Sequence, residues 1–250
     1  MKKLTLLTLI FGVFILLSCG KKTEKDHSSS TIVGQSNHIE GDSTLYGLAC
    51  DGCTDTILVM LCDIKGEPDT LNILEASKRH RIFGNLAIGS KVAVVRNEQD
   101  STVADLAICM GSLNGKWCYQ VLPTLRRRAD MPMISQEKML RKMPKEIRDS
   151  LMSPREYGFE IKGERTIRPV GMYKRNMTSD EESPVEYPRQ KRYRDWHLFN
   201  GLLILSEVST DSTGQQHIAH SDTAELVLLH PDTLVLRFKD GERGYYKKEE

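Results

Sequence analysis

The chain carries almost no net charge: 35 Lys and Arg stand against 34 Asp and Glu in 250 residues, and 33 against 34 once Lys2 and Lys3 are set aside. Without a basic field to attract a polyphosphate, nucleic acid is excluded as a partner. Long apolar runs are missing too. The longest, residues 4–17, has fourteen residues, and a bilayer-spanning helix needs roughly 20. Catalytic signatures are absent: there is no Ser-His-Asp arrangement, phosphate-cradling glycine-rich loop, H-E-x-x-H zinc motif or dinucleotide fingerprint. The expectation is a non-catalytic binding or sensing protein without a cofactor.

What is present begins at the amino terminus. Met1-Lys2-Lys3, a short apolar core and a small residue before a cut site have the form of a secretory signal peptide over residues 1–18. Leu16-Leu17-Ser18-Cys19 resembles the lipobox of bacterial lipoproteins. The resemblance implies that Cys19 carries diacylglycerol on its sulfur and, after cleavage, an acylated amino terminus. Several palmitate-like chains hold firmly where one would not, since each buried methylene contributes about 0.8 kcal/mol. The expected address is the cell envelope, with attachment to the outer membrane. Lys21-Lys22-Thr23-Glu24 lacks the acidic run of a surface-export signal, which favours the inner face. Residues 19–43 read as the lipidated cysteine and a polar, aperiodic tether.

Five cysteines remain in the mature chain, at 50, 53, 62, 109 and 118, so they cannot all pair. Cys50 and Cys53 form a C-x-x-C, which outside the cytoplasm reads as a disulfide or a redox-responsive pair. A metal there would need further ligands from afar, such as Cys62, Cys109 or a histidine; none is assigned. His217 and His220 fall in a polar turn, and Arg126-Arg127-Arg128 and Lys191-Arg192 read as solvated basic clusters.

Beyond the tether, short apolar runs alternate with turn signals, which predicts an all-β chain. Residues 44–112 contain five runs, at 45–49, 57–62, 71–74, 92–95 and 103–109, and suit a small OB-like five-stranded barrel. Residues 113–250 contain eight candidate strands, enough to close a barrel around one small ligand. Asn200-Gly201 predicts a type I′ hairpin turn. The exception is residues 135–152, where Ser135 is a candidate cap and Met139, Met143, Ile147 and Leu151 recur at helical spacing. Pro144 divides this segment into two helices. The apolar stripe is expected to cover barrel surface or to form a lid over its mouth.

Gly115-Lys116-Trp117 opens the first of the eight strands and resembles the motif that opens lipocalins. The resemblance implies that Trp117 closes the barrel base, with an arginine packing across it; Arg237 and Arg243 are the candidates. It also implies a long first loop over the open end, the place of residues 123–155. The whole is similar to lipocalin-like lipoproteins common in Bacteroidota, although Ser221-Asp222-Thr223 is only an echo of that family's Thr-Asp-Tyr signature. Tyr46-Gly47-Leu48-Ala49-Cys50-Asp51-Gly52-Cys53 is similar to a stretch of the NlpE family of copper-linked envelope-stress lipoproteins. Two functions follow as expectations. The first is a membrane-anchored module that binds a small apolar ligand or an envelope protein partner. The alternative is a redox- or copper-responsive envelope sensor using Cys50 and Cys53. Labelling cells with radioactive palmitate should mark the mature protein, and Cys19→Ser should abolish the label; an unchanged signal in the variant would refute lipidation at Cys19.

Overall fold

Residues 39–171 and 183–249 are described by a computed structural model. The expected signal peptide, Cys19 and most of the expected tether lie outside the described residues. Among those described, no helix is long and apolar enough to cross a membrane.

Each of the five apolar runs of the first block becomes a strand. They are β1 (Thr44–Ala49), β2 (Ile57–Leu61), β3 (Asp69–Asn72), β5 (Lys91–Arg96) and β6 (Ala104–Cys109). The block is a six-stranded sheet, because β4 (Ile82–Phe83) adds to its edge in the order β3-β2-β1-β5-β6-β4. Strand β4 runs parallel to β6, at the end of the crossover that contains helix α1 (Leu74–Lys78). A two-residue strand carries no alternation, which is why pattern reading passes over it.

A single 3₁₀ turn, Met110–Leu113, leads into the second block. There β7 (Gly115–Val121) is followed by the two-residue β8 (Thr124–Leu125) and helices α2 (Met133–Lys142) and α3 (Lys145–Leu151). Then come β9 (Arg155–Ile161), β10 (Ile167–Gly171), β11 (Val185–Glu186), β12 (Asp195–Phe199), β13 (Leu202–Thr210), β14 (Gln216–Leu229), β15 (Thr233–Phe238) and β16 (Gly241–Lys248). Eight of these form a nearly closed antiparallel barrel in the order β10-β9-β7-β16-β15-β14-β13-β12. Strands β8 and β11 pair separately. Every barrel neighbour is adjacent in the chain except β16 and β7, whose pairing joins last strand to first.

The seam between β10 and β12 is bridged by side chains. The Trp196 indole donates to the Gly163 carbonyl at 3.2 Å, and the Arg165 guanidinium grips both oxygens of Asp195 at 3.1 Å. Gln190 donates to the Val170 carbonyl at 2.6 Å. The Gln190 contact occupies a carbonyl of the β10 edge that would otherwise be open to a foreign strand.

Asn200 and Gly201 have φ of +50° and +75°, as a type I′ turn requires. The Asn200 amide does more than turn the chain: its Oδ1 accepts from the Ser43 backbone at 2.8 Å, and its Nδ2 donates to the Gly41 carbonyl at 3.2 Å. The Asn200 backbone N–H in turn donates to Asp42 Oδ1 at 2.9 Å. Residues 41–43, expected as the end of the tether, are therefore pinned to the barrel base.

The two blocks share a core. Ala93, Leu106 and Ile108 of the six-stranded sheet bury against the same cluster as Trp117, Leu198 and Leu203 of the barrel. Strands β5 and β6 present their other face, including Val92, Val94 and Ala107, to Leu58, Met60 and Leu71. A side chain on Gly201 would press on Val95 and Leu106, so the turn can seat against the sheet only as glycine. The chain should therefore unfold in one transition. Leu106→Ala, although on the small sheet, should cost about 2–5 kcal/mol. That loss should appear in denaturation followed by Trp117 and Trp196 fluorescence, both of which report from the barrel; a barrel midpoint unmoved by the substitution would refute a common core.

Candidate functional site

The barrel has two unlike ends. At the base, Trp117 is fully buried and donates its indole N–H to the Leu113 carbonyl at 2.8 Å, so the 3₁₀ turn caps the ring. Trp117 thus lies at the barrel base. Arg237 does not. Strand β15 alternates Leu234, Leu236 and Phe238 inward, which sends Arg237 to the outer surface, where it pairs with Glu225 at 2.8 Å and Glu242 at 2.7 Å. The cation over the Trp117 ring is Lys247, 5.2 Å from its centroid and directly opposite in the β16–β7 register. Gly115, at φ +143°, leaves room for the Lys247 stem, which a Cβ would strike.

At the other end lies a shallow aromatic cleft lined by Tyr119, Tyr157, Phe159, Gln190, Tyr193 and Tyr245 together with Lys191 and Arg243. Arg243, the other candidate for the base, belongs here: its guanidinium stacks 5.1 Å from the Tyr119 centroid and 5.4 Å from that of Phe238. Tyr119 meets Tyr245 edge-on at 5.3 Å. The free volume is about 10 Å³, room for one water molecule. Below it the barrel is filled by Phe159, Trp196, Leu205, Leu226, Leu236 and their neighbours.

The rim of this cleft is organised by Asp222. Its carboxylate accepts from Lys191 Nζ at 2.7 Å, from the Tyr193 hydroxyl at 2.6 Å and from the His220 ring at 3.2 Å. Burial alone would raise the Asp222 pKa, but Lys191 and Tyr193 together with His220 outweigh it and hold the carboxyl below its ordinary value. Tyr193 is pushed far upward, first by burial and then by its bond to the ionised Asp222. Tyr245 is raised mainly by burial, against the opposing effect of Arg243. These phenols stay protonated: the Tyr193 hydroxyl donates to Asp222, and the Tyr245 oxygen accepts from Arg243.

Sequence reading placed His217 and His220 in a turn and Lys191 in a solvated cluster. The structure puts both histidines on β14, because its polar first half stays paired with β13 beyond the barrel wall. A signal for Asp222 was available: it stands two residues before Ala224 and four before Leu226, on the inward-facing row of the strand.

Cys50 and Cys53 lie in the six-stranded sheet, flanking the turn after β1, and both are free thiols, as are Cys62, Cys109 and Cys118. Cys53 Sγ is 3.3 Å from the Cys50 carbonyl and 3.4 Å from the Val59 carbonyl, so the thiol completes the turn's hydrogen bonding. Burial, then Asp69, raises the Cys62 thiol pKa. Among the described residues no group of three or more His, Cys, Asp or Glu could hold a metal ion. Comparison with protein-family models, with curated proteins and with solved structures finds no match.

The depressed Asp222 pKa means that its contribution to stability is present above the unfolded value, near pH 4, and is lost as pH falls through the lower folded value. Asp222→Asn should therefore cost about 1–2 kcal/mol at pH 7, with the gap to the parent chain narrowing as the pH falls below the ordinary carboxylate range. Denaturant unfolding across a series of acid pH values checks this; a gap independent of pH would show that the carboxylate charge is not what matters.

Proposed function

We propose that this chain is a lipid-anchored, non-catalytic binding module of the cell envelope that engages a protein partner through the rim of its barrel. The observation that carries this reading is the contrast between the two parts of the barrel. Among the described residues the interior is occupied by buried side chains, whereas the mouth carries a cleft floored by the buried Tyr157, Tyr193 and Tyr245 and edged by half-buried Tyr119 and Arg243 and by the Lys191–Asp222–His220 group. A barrel built to store an apolar molecule needs a cavity of hundreds of cubic ångströms, and the cleft has about 10 Å³. Tyrosine and arginine are the residues that dominate binding at protein interfaces, because they bring large rigid area together with hydrogen-bond donors. The lipobox-like Leu16-Leu17-Ser18-Cys19 supports the envelope address.

A benzophenone-bearing residue at position 220 on the rim should yield a discrete larger adduct when irradiated in cells. The same residue at position 88, on the small sheet and 70% exposed in the native chain, should not. Native mass spectrometry of protein purified from its own host supplies the contrary test: a stoichiometric small apolar molecule retained by the chain would displace this reading in favour of ligand storage.

A further inference from the structure

Helices α2 and α3 were expected to lay their apolar stripe on the barrel surface or to form a lid over its mouth, and the stripe is instead largely exposed. Met139 and Ile147 of that stripe are 45% and 52% exposed, and Met143 and Leu151 are only half-buried. Helix α2 begins at Met133 after Pro132, without a side-chain cap, and turns Gln136, Leu140 and Met143 inward. Its opposite face carries Ile134, 67% exposed, with Lys138 and Arg141 at the i+4 and i+7 positions. Lys142 and Lys145 are exposed beside them, and Leu122, at the root of the same loop, is 64% exposed.

The charge of this segment is unlike that of the rest of the chain. Residues 122–155 hold nine Lys and Arg against four Asp and Glu, a net of +5 in a chain whose total is +1, which leaves −4 elsewhere. Two of its four acidic groups are engaged locally, Asp130 with Arg128 at 3.0 Å and Asp149 with Arg148 at 3.9 Å. Exposed aliphatic side chains set among lysines and arginines on short helices suit one surface in particular: the interface of an anionic bilayer, where headgroups meet the cations and acyl chains accept the isoleucine.

We infer that the α2–α3 insertion is a membrane-docking surface, with Ile134, Lys138, Arg141 and Lys142 lying on anionic phospholipid. The inference rests on the envelope reading for its biological setting. The span permits it: residues 20–38 cover at most about 70 Å at full extension, and the base where the chain enters is about 20–25 Å from the mouth, the length of β7. Attachment at Cys19 confines the body near the bilayer, so a weak contact suffices.

The test uses residues 39–250, which hold both cores and every described strand, without leader or lipid. Sedimentation with phosphatidylcholine vesicles containing 30% phosphatidylglycerol at low salt should bind this body at least tenfold better than phosphatidylcholine alone. Binding should vanish at 0.5 M salt. The triple variant Lys138→Glu, Arg141→Glu, Lys142→Glu should lose at least tenfold, and Ile134→Ser several-fold. Ile218→Ser, an exposed isoleucine on β14, should change nothing. All these positions are exposed, so unchanged near-ultraviolet circular dichroism confirms that each variant is folded. Equal binding to neutral vesicles, or full binding by the triple variant, would overturn the inference. So would binding to polyglutamate with no binding to vesicles, which would assign the face to an acidic protein. Vesicle docking does not depend on Cys19: loss of palmitate labelling with docking intact refutes the anchor alone, and the reverse refutes only the docking surface.

Discussion

The buried Trp117 is the contact on which the two halves of the fold converge. Its ring is held from below by the carbonyl of Leu113, in the turn that ends the six-stranded sheet. From above it is covered by Lys247, in the last strand of the barrel. The first barrel strand, the last barrel strand and the preceding sheet thus meet at one side chain. Among the described strands, closure between β7 and β16 joins the pair farthest apart in the chain, and loop closure over such a length is entropically costly. A large apolar ring with its N–H satisfied offsets that cost without leaving a buried donor unpaired. Gly115 belongs to the same arrangement, since any larger residue would push the lysine off the ring.

With the base sealed in this way, the proposed recognition surface is the mouth. A barrel packed to its rim gives up storage volume and gains rigidity, and rigid aromatic groups lose little conformational entropy when they contact something else. The Asp222 cluster adds orientation: the carboxylate fixes Tyr193 and Lys191, and burial keeps the phenol protonated. The mouth is a preorganised polar and aromatic surface, and its neighbouring helices bring a local positive charge.

Much of the fold was legible in the sequence because strands such as β12 and β15 alternate over five residues or more, and the turns beside them are marked by Asn-Gly and Asp-Gly. Leu234, Leu236 and Phe238 state their inward face openly, and that same alternation excludes Arg237 from the base. What escaped had physical reasons. Strand β4 is too short to show a period. The first half of β14, from Gln216 to Thr223, reads as a turn because neither of its faces is buried, so no hydrophobic pattern marks it. Ser135 looks like a cap, yet helix α2 starts two residues earlier on a proline-fixed backbone. The cleft was invisible for a different reason: Tyr119, Tyr157, Tyr193, Asp222 and Arg243 come from five separate segments, and only closure of the barrel brings them together.

The clasp at Asn200 has a mechanical meaning. Residues 41–43 are tied to the β12–β13 turn just before the chain enters β1, so any pull arriving from the amino-terminal side is delivered first to that hairpin tip. Behind the tip stand Val95 and Leu106, close enough that Gly201 has no room for a side chain. Such a pull is spread across the shared interior of sheet and barrel before it can peel the first strand from its neighbours.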